Sequence, residues 1–156
     1  MQIGDIVLVK GQDFISIAIE DIEGSIYSHA AGIVKENEII EVEGFKTTSY
    51  GSLSKYMGYT DIFTCDILTD EQRAGIVKYV ENEVGSHYDW VLLFLEFIRY
   101  VFHIMLPYKE EFHSHICSTL WADAYRSVGV DLCPNIKYPS PKDLSESKLL
   151  AKVSSY

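Results

Sequence analysis

Nucleophilic chemistry at neutral pH needs a thiol or hydroxyl, a base beside it and a group that orients the base. In this chain the candidates are Ser28-His29-Ala30-Ala31-Gly32, Glu41 and His115-Ile116-Cys117-Ser118. Cys117 opens an apolar helical pattern over Ile116–Val128. Its sulfur would therefore face unpaired backbone N–H groups and the positive end of the helix dipole, which stabilise a thiolate. A histidine held nearby lowers the thiol pKa further and can return a proton to the leaving group. A carboxylate on the far imidazole nitrogen fixes the tautomer and the ring orientation. The ordinary alternative is packing. Free cysteine is among the most buried residue types, and a histidine after a serine is commonly a polar turn residue. Spacing alone does not decide, because Cys and His must meet in space and not in sequence.

The elements that would position these residues can be read from periodicity. Ile3–Val9 is β-branched and apolar, hence a strand, and Phe14–Ile22 has the three- and four-residue spacing of an amphipathic helix. Ala30–Val34 and Glu38–Val42 flank the turn-like Lys35-Glu36-Asn37, a hairpin pattern. Such a hairpin would bring Glu41 beside His29. Glu43 shares the face of Glu41 on that strand, and alternation alone cannot separate the two. Thr60–Leu68 reads as a strand, Thr69-Asp70 as a helix N-cap, and Glu71–Glu83 as an amphipathic helix stopped by Gly85. Strands and helices that alternate without even interleaving predict an α+β fold.

The charge balance narrows the partners. The chain has 156 residues, within the size of one domain, and carries 13 Lys and Arg against 23 Asp and Glu, a net charge of −10. Such a surface repels nucleic-acid phosphates and anionic lipid headgroups, which excludes a sequence-independent nucleic-acid binder. The same negative field opposes a thiolate, so the local groups around Cys117 must outweigh it. Three cysteines cannot all pair within one chain. The first residues show no basic or apolar leader pattern, and a cytoplasmic setting is expected.

Several matching segments, in order, resemble the circularly permuted papain-like enzymes of the NlpC superfamily, especially its YiiX-like branch. They are Gly4-Asp5-Ile6-Val7, Ser28-His29-Ala30-Ala31-Gly32-Ile33-Val34, Ile39-Ile40-Glu41-Val42, Gly85-Ser86-His87-Tyr88-Asp89 and Cys117-Ser118-Thr119-Leu120-Trp121. In that family the histidine strand precedes the cysteine helix, as here. The resemblance implies a permuted papain-like fold with a small antiparallel sheet packed against helices. It further implies Cys117 as nucleophile at a helix N-terminus, His29 as general base and acid, and Glu41 as the orienting residue. The implied activity is cleavage of an amide in a small peptide-like substrate through a thioester, with no cofactor.

The stretch between Asp89 and Cys117 is longer and more apolar than the resemblance leads one to expect. Trp90–Leu106 approaches the ~17–25 residues of a membrane helix, but Glu96, Arg99 and His103 stack along one face of it and argue against a transmembrane span. A single domain with an apolar helical insertion at about 90–107 follows. That insertion would serve as a lid, a dimer surface or a wall for an acyl chain. A lipid-directed thiol acyltransferase or thioesterase is thus the second enzymatic reading, with an acyl-bearing substrate. A non-catalytic binding module on the same fold is the third. His113, His115 and Cys117 alternate, but three isolated ligands do not make a zinc site, and no metal is expected. His115, Tyr27 and Tyr88 are candidate rim residues of the cleft, with ordinary packing as the alternative for both tyrosines. Cys65 and Cys133 are read as packing residues.

Overall fold

Alternation of buried residues builds a sheet covered on both faces. The computed structural model describes residues 1–11, 25–42, 47–88, 114–115 and 117–156, with residues 87, 88, 114 and 115 described through their backbone alone. Strand β1 (Ile6–Lys10) is hydrogen-bonded antiparallel to β2 (Tyr27–Lys35) on one side and to β5 (Thr60–Thr64) on the other. Strand β3 (Glu38–Val42) returns from β2 through a hairpin in which Asn37 takes a left-handed φ of 57°. With β4 (Thr48–Ser52) and β8 (Ala151–Ser155) at the edges, the order is β4-β3-β2-β1-β5-β8. All five pairings are antiparallel.

Because successive strand side chains point to opposite faces, the core divides in two. Ile6, Leu8, Ala30, Ile40, Val42 and Phe63 face helices α1 (Asp70–Asn82) and α2 (Cys117–Ser127). Val7, Val9, Ala31, Ile33, Ile39 and Ile62 pack with Leu53 and Tyr56 of a 3₁₀ turn, Leu53–Tyr56. A short helix α3 (Pro141–Ser145) precedes β8. The architecture is thus α+β, with an antiparallel sheet against helices, as expected.

Helix α1 begins with a reciprocal capping box. Gln72 N–H donates to Thr69 Oγ1 at 3.2 Å, and Thr69 N–H donates to Gln72 Oε1 at 3.0 Å. Helix α2 is seated by Trp121, which is fully buried. Its indole lies against the bare Cα of Gly32, where a Cβ would come within 2.5 Å of three ring carbons. Its Nε1–H donates to the Ile40 carbonyl at 3.1 Å, tying the helix to β3 as well. The Gly4-Asp5 segment has a structural role. Gly4 takes a φ of 81°, and its carbonyl accepts from the Tyr125 hydroxyl at 2.7 Å. Buried Asp5 accepts from Arg73 at 3.0 Å and from Thr64 at 2.7 Å.

The boundaries differ from the periodicity in instructive ways. Strand β1 starts at Ile6 and not Ile3, because the Gly4 turn intervenes. Strand β5 ends at Thr64 rather than Leu68, because a turn closes with Leu68 N–H donating to the Cys65 carbonyl. Two short strands, β6 (His87–Tyr88) and β7 (Ser114–His115), pair in parallel and bring the two ends of the 89–113 segment together immediately before α2. The expected helix Phe14–Ile22 and the expected apolar insertion at 90–107 lie outside the described residues, as do Glu43, Glu96, Arg99, His103 and His113.

Candidate active site

Strands β2 and β3 carry the histidine and the carboxylate. Glu41 pairs directly with Ala31, so its side chain and that of His29 have the same parity on neighbouring strands. The His29 Nε2 lies 2.9 Å from Glu41 Oε2. Glu41 is 3% exposed, and a carboxylate this buried must be paired or neutral. It is paired at both oxygens. The Tyr56 hydroxyl donates to Oε2 at 2.5 Å and Lys55 Nζ donates to Oε1 at 3.2 Å.

Helix α2 carries the thiol to the same place. His29 and the backbone N–H groups of Ala30 and Ser118 bear on the Cys117 sulfur, each favouring its thiolate form. Ala30 lies one residue beyond the last β2–β3 pair, Ala31↔Glu41. Strand N–H groups point within the plane of the sheet, so the sulfur sits beside β2 where β3 no longer pairs with it. Since Nε2 faces Glu41, the other ring nitrogen, Nδ1, is left for the sulfur. An ionised carboxylate only accepts hydrogen bonds, so Nε2 bears a proton and Nδ1 is the site that exchanges one with Cys117.

The electrostatics follow this chain of contacts. Burial pushes the Glu41 carboxyl up, but the bonds from His29 and Tyr56 and the charge of Lys55 bring it down to about 2. Burial disfavours a charged His29, yet the Cys117 sulfur and Glu41 outweigh it and raise the imidazole to about 10. Burial would also raise the Cys117 thiol; the imidazolium and the two N–H donors instead bring it below its ordinary value. At the other two thiols burial wins, at Cys65 even against the Ile67 N–H and the charge of Arg73. Burial raises Cys65 and pushes Cys133 up to about 12, where the thiol donates to the Asp143 carbonyl at 3.4 Å. The local groups at Cys117 therefore outweigh the −10 charge of the whole chain.

His29, Glu41 and Cys117 are brought together from residues far apart in sequence. Tyr27 is placed otherwise: its ring packs edge-on against Phe63 at 6.0 Å, and its hydroxyl donates to buried Asp61 at 2.6 Å. Asp61 also accepts from Lys152 at 2.8 Å and Ser155 at 2.8 Å, so this cluster locks β8 onto the sheet. For Tyr88 and His115 only the strand pairing is described. Tyr56, Lys55 and Gly51 are site residues that sequence reasoning missed. A Cβ on Gly51 would lie 2.7 Å from Glu41 Oε1, so the carboxylate occupies the space a side chain would fill. The available signal was the glycine inside the polar run Thr48–Ser52, since glycine in a strand often marks close approach.

No protein-family model matches the chain, and no curated protein matches it. Its fold is similar to that of the crystal structure of the metalloprotein yiiX from Escherichia coli O157:H7, with a TM-score of 0.69, 16% sequence identity, and 99% of this chain and 97% of that chain covered. The metal is a property of that protein. Among the described residues here, no three His, Cys, Asp or Glu side chains form a metal-binding group, and the Lys55 ammonium occupies one oxygen of Glu41. Likeness at this identity speaks for architecture: the chain has a YiiX-like α+β fold.

Proposed function

We propose that the chain is a cysteine hydrolase of the permuted papain-like type in the NlpC superfamily, cleaving an amide bond in a small peptide-like substrate. One observation carries the reading: Cys117, at the start of α2, lies against a histidine whose Nε2 is held at 2.9 Å by a buried carboxylate. In this mechanism the Cys117 thiolate attacks the carbonyl carbon, forming a C–S bond. The negative charge moves to the carbonyl oxygen, for which the Cys117 backbone N–H at the start of α2 is the candidate donor. Collapse breaks the C–N bond, and the His29 imidazolium gives its Nδ1 proton to the departing amine. Water then attacks the thioester while His29 takes one of its protons. The C–S bond breaks, the acid leaves and the thiolate–imidazolium pair is restored. Glu41 remains ionised throughout and holds the ring.

The test pairs a thiol probe with a turnover assay. Iodoacetamide at neutral pH should alkylate Cys117 well before Cys65 and Cys133, and a panel of N-acyl amino-acid 4-nitroanilides should release nitroaniline with the parent chain. Cys117→Ala should abolish release while circular dichroism shows the fold intact. Equal labelling of all three cysteines, or turnover that survives Cys117→Ala, would overturn the reading.

A further inference from the structure

We infer that Tyr56 is a positioning residue of this site, acting through Glu41 to keep its Oε2 aimed at the imidazole. The inference rests on the reading of Glu41 as the residue that orients His29. Three observations converge on it. The Tyr56 hydroxyl lies 2.5 Å from Glu41 Oε2, the same oxygen that meets His29. Its ring lies 5.9 Å from the imidazole, tilted by 45°, so one side chain bounds both members of the pair. The tyrosine is itself held in place beforehand. Leu53, at the start of the 3₁₀ turn, is 2% exposed, and its N–H donates to the Asn37 carbonyl at 3.1 Å. At the far end Tyr59 N–H donates to the Tyr56 carbonyl at 3.0 Å, and Gly58 N–H donates to the Tyr156 carbonyl at 2.7 Å.

The need for such a residue follows from the surroundings of the carboxylate. Glu41 has two oxygens and an attractive, partly exposed cation, Lys55, on one of them. A carboxylate drawn wholly toward Lys55 would turn away from His29. A hydroxyl donor on Oε2 opposes that rotation, and the bare Gly51 beneath Oε1 leaves the group room to lie in its observed orientation. Precise support of this kind is what a hydrogen-bonded relay requires, because loss of angular alignment weakens charge-assisted bonds steeply.

The experiment reads the Cys117 thiolate directly and needs no substrate. The rate of Cys117 alkylation by iodoacetamide is followed against pH in the parent chain, Tyr56→Phe, Glu41→Gln and the double variant. Tyr56→Phe keeps the ring, and should lower the rate about three- to tenfold below the inflection and move the inflection upward, as a misdirected carboxylate stabilises the imidazolium less. Glu41→Gln should do the same more strongly, and adding Tyr56→Phe to it should change nothing further. Gly51→Ala, which displaces the carboxylate by contact and not by chemistry, should reproduce the upward shift. An inflection that stays put or moves down in Tyr56→Phe would overturn the inference, as would an equal effect of Tyr56→Phe in the Glu41→Gln background. If no anilide is cleaved but the inflections move as stated, the hydrolase reading fails and the role of Tyr56 stands.

Discussion

Gly32→Ala is the most incisive perturbation of the link between packing and chemistry. The added Cβ would sit 2.5 Å from three carbons of the Trp121 ring, against an ordinary contact of 3.4–4 Å, so ring and strand must separate by about 1 Å. Trp121 is fully buried and cannot swing aside. It lies one helical turn after Cys117, so the shift falls on the helix that presents the sulfur. Overpacking of this kind costs about 1–3 kcal/mol, read as a lower urea midpoint with an unchanged slope. A displacement of about 1 Å at a reacting group costs on the order of a hundredfold in rate. Iodoacetamide alkylation of Cys117 should accordingly slow at neutral pH, with its inflection moved up toward the ordinary thiol value, well before the protein unfolds. Trp121→Phe, which shortens the ring, should recover part of both losses when combined with Gly32→Ala. A Gly32→Ala chain with the parent's urea midpoint and alkylation profile would refute the claim that this contact sets the position of Cys117.

Three further outcomes follow from the charged groups. Unfolded histidine and cysteine change charge near 6.5 and 9.0, whereas the folded pair holds a raised His29 and a lowered Cys117. Above both 6.5 and the lowered thiol value, and below 9.0, the folded pair and the unfolded pair each bind one proton, so the pair adds no pH dependence there. Above 9.0 the folded state binds more protons and its stability falls as pH rises toward about 10. In Cys117→Ser the imidazole loses the thiolate that most raises it and falls back toward its ordinary range, so this loss of stability above 9.0 should disappear; urea midpoints of the two chains that fall alike from pH 9 to 10 would contradict the thiolate–imidazolium pair. On the acid side Glu41, lowered to about 2 from 4.5, contributes stability above 4.5 that is lost as pH falls toward 2. Arg73→Met should cost about 3–5 kcal/mol by stranding buried Asp5, with Asp5→Leu in the same chain recovering part of it; a loss under about 1 kcal/mol in urea melts would show that the Asp5–Arg73 pair is not what fastens β1 to α1.

How much was legible depended on how local the cause was. The β2–β3 hairpin, the Thr69 cap and the cysteine at the start of α2 each arise from a few neighbouring residues, and alternation or capping chemistry reveals them. Strands β4 and β8 escaped notice because they are edges. The runs Thr48–Ser52 and Ala151–Ser155 are largely polar or exposed and carry little apolar alternation. Helix α3 was available in principle, since Ser140-Pro141 with Asp143 is a capping box with proline at the first turn. Tyr27 shows the opposite limit. Its neighbourhood in sequence is His29, but a register shift between Val9 and Lys10 accompanies its turn toward Phe63 and Asp61.

By itself the sequence determined the α+β class, the order histidine strand before cysteine helix, and the three residue types able to carry the chemistry. These depend on periodicity, capping and intrinsic reactivity, all properties of short stretches of chain. Only the tertiary structure decided that His29, Glu41 and Cys117 meet, that Ala30 supplies a donor to the sulfur, and that Tyr56, Lys55 and Gly51 surround the carboxylate. The physical reason is that these contacts join residues from ten to nearly ninety positions apart on different elements. They are set by strand register and by the seating of Trp121 on Gly32, and no local pattern encodes a distance between two elements.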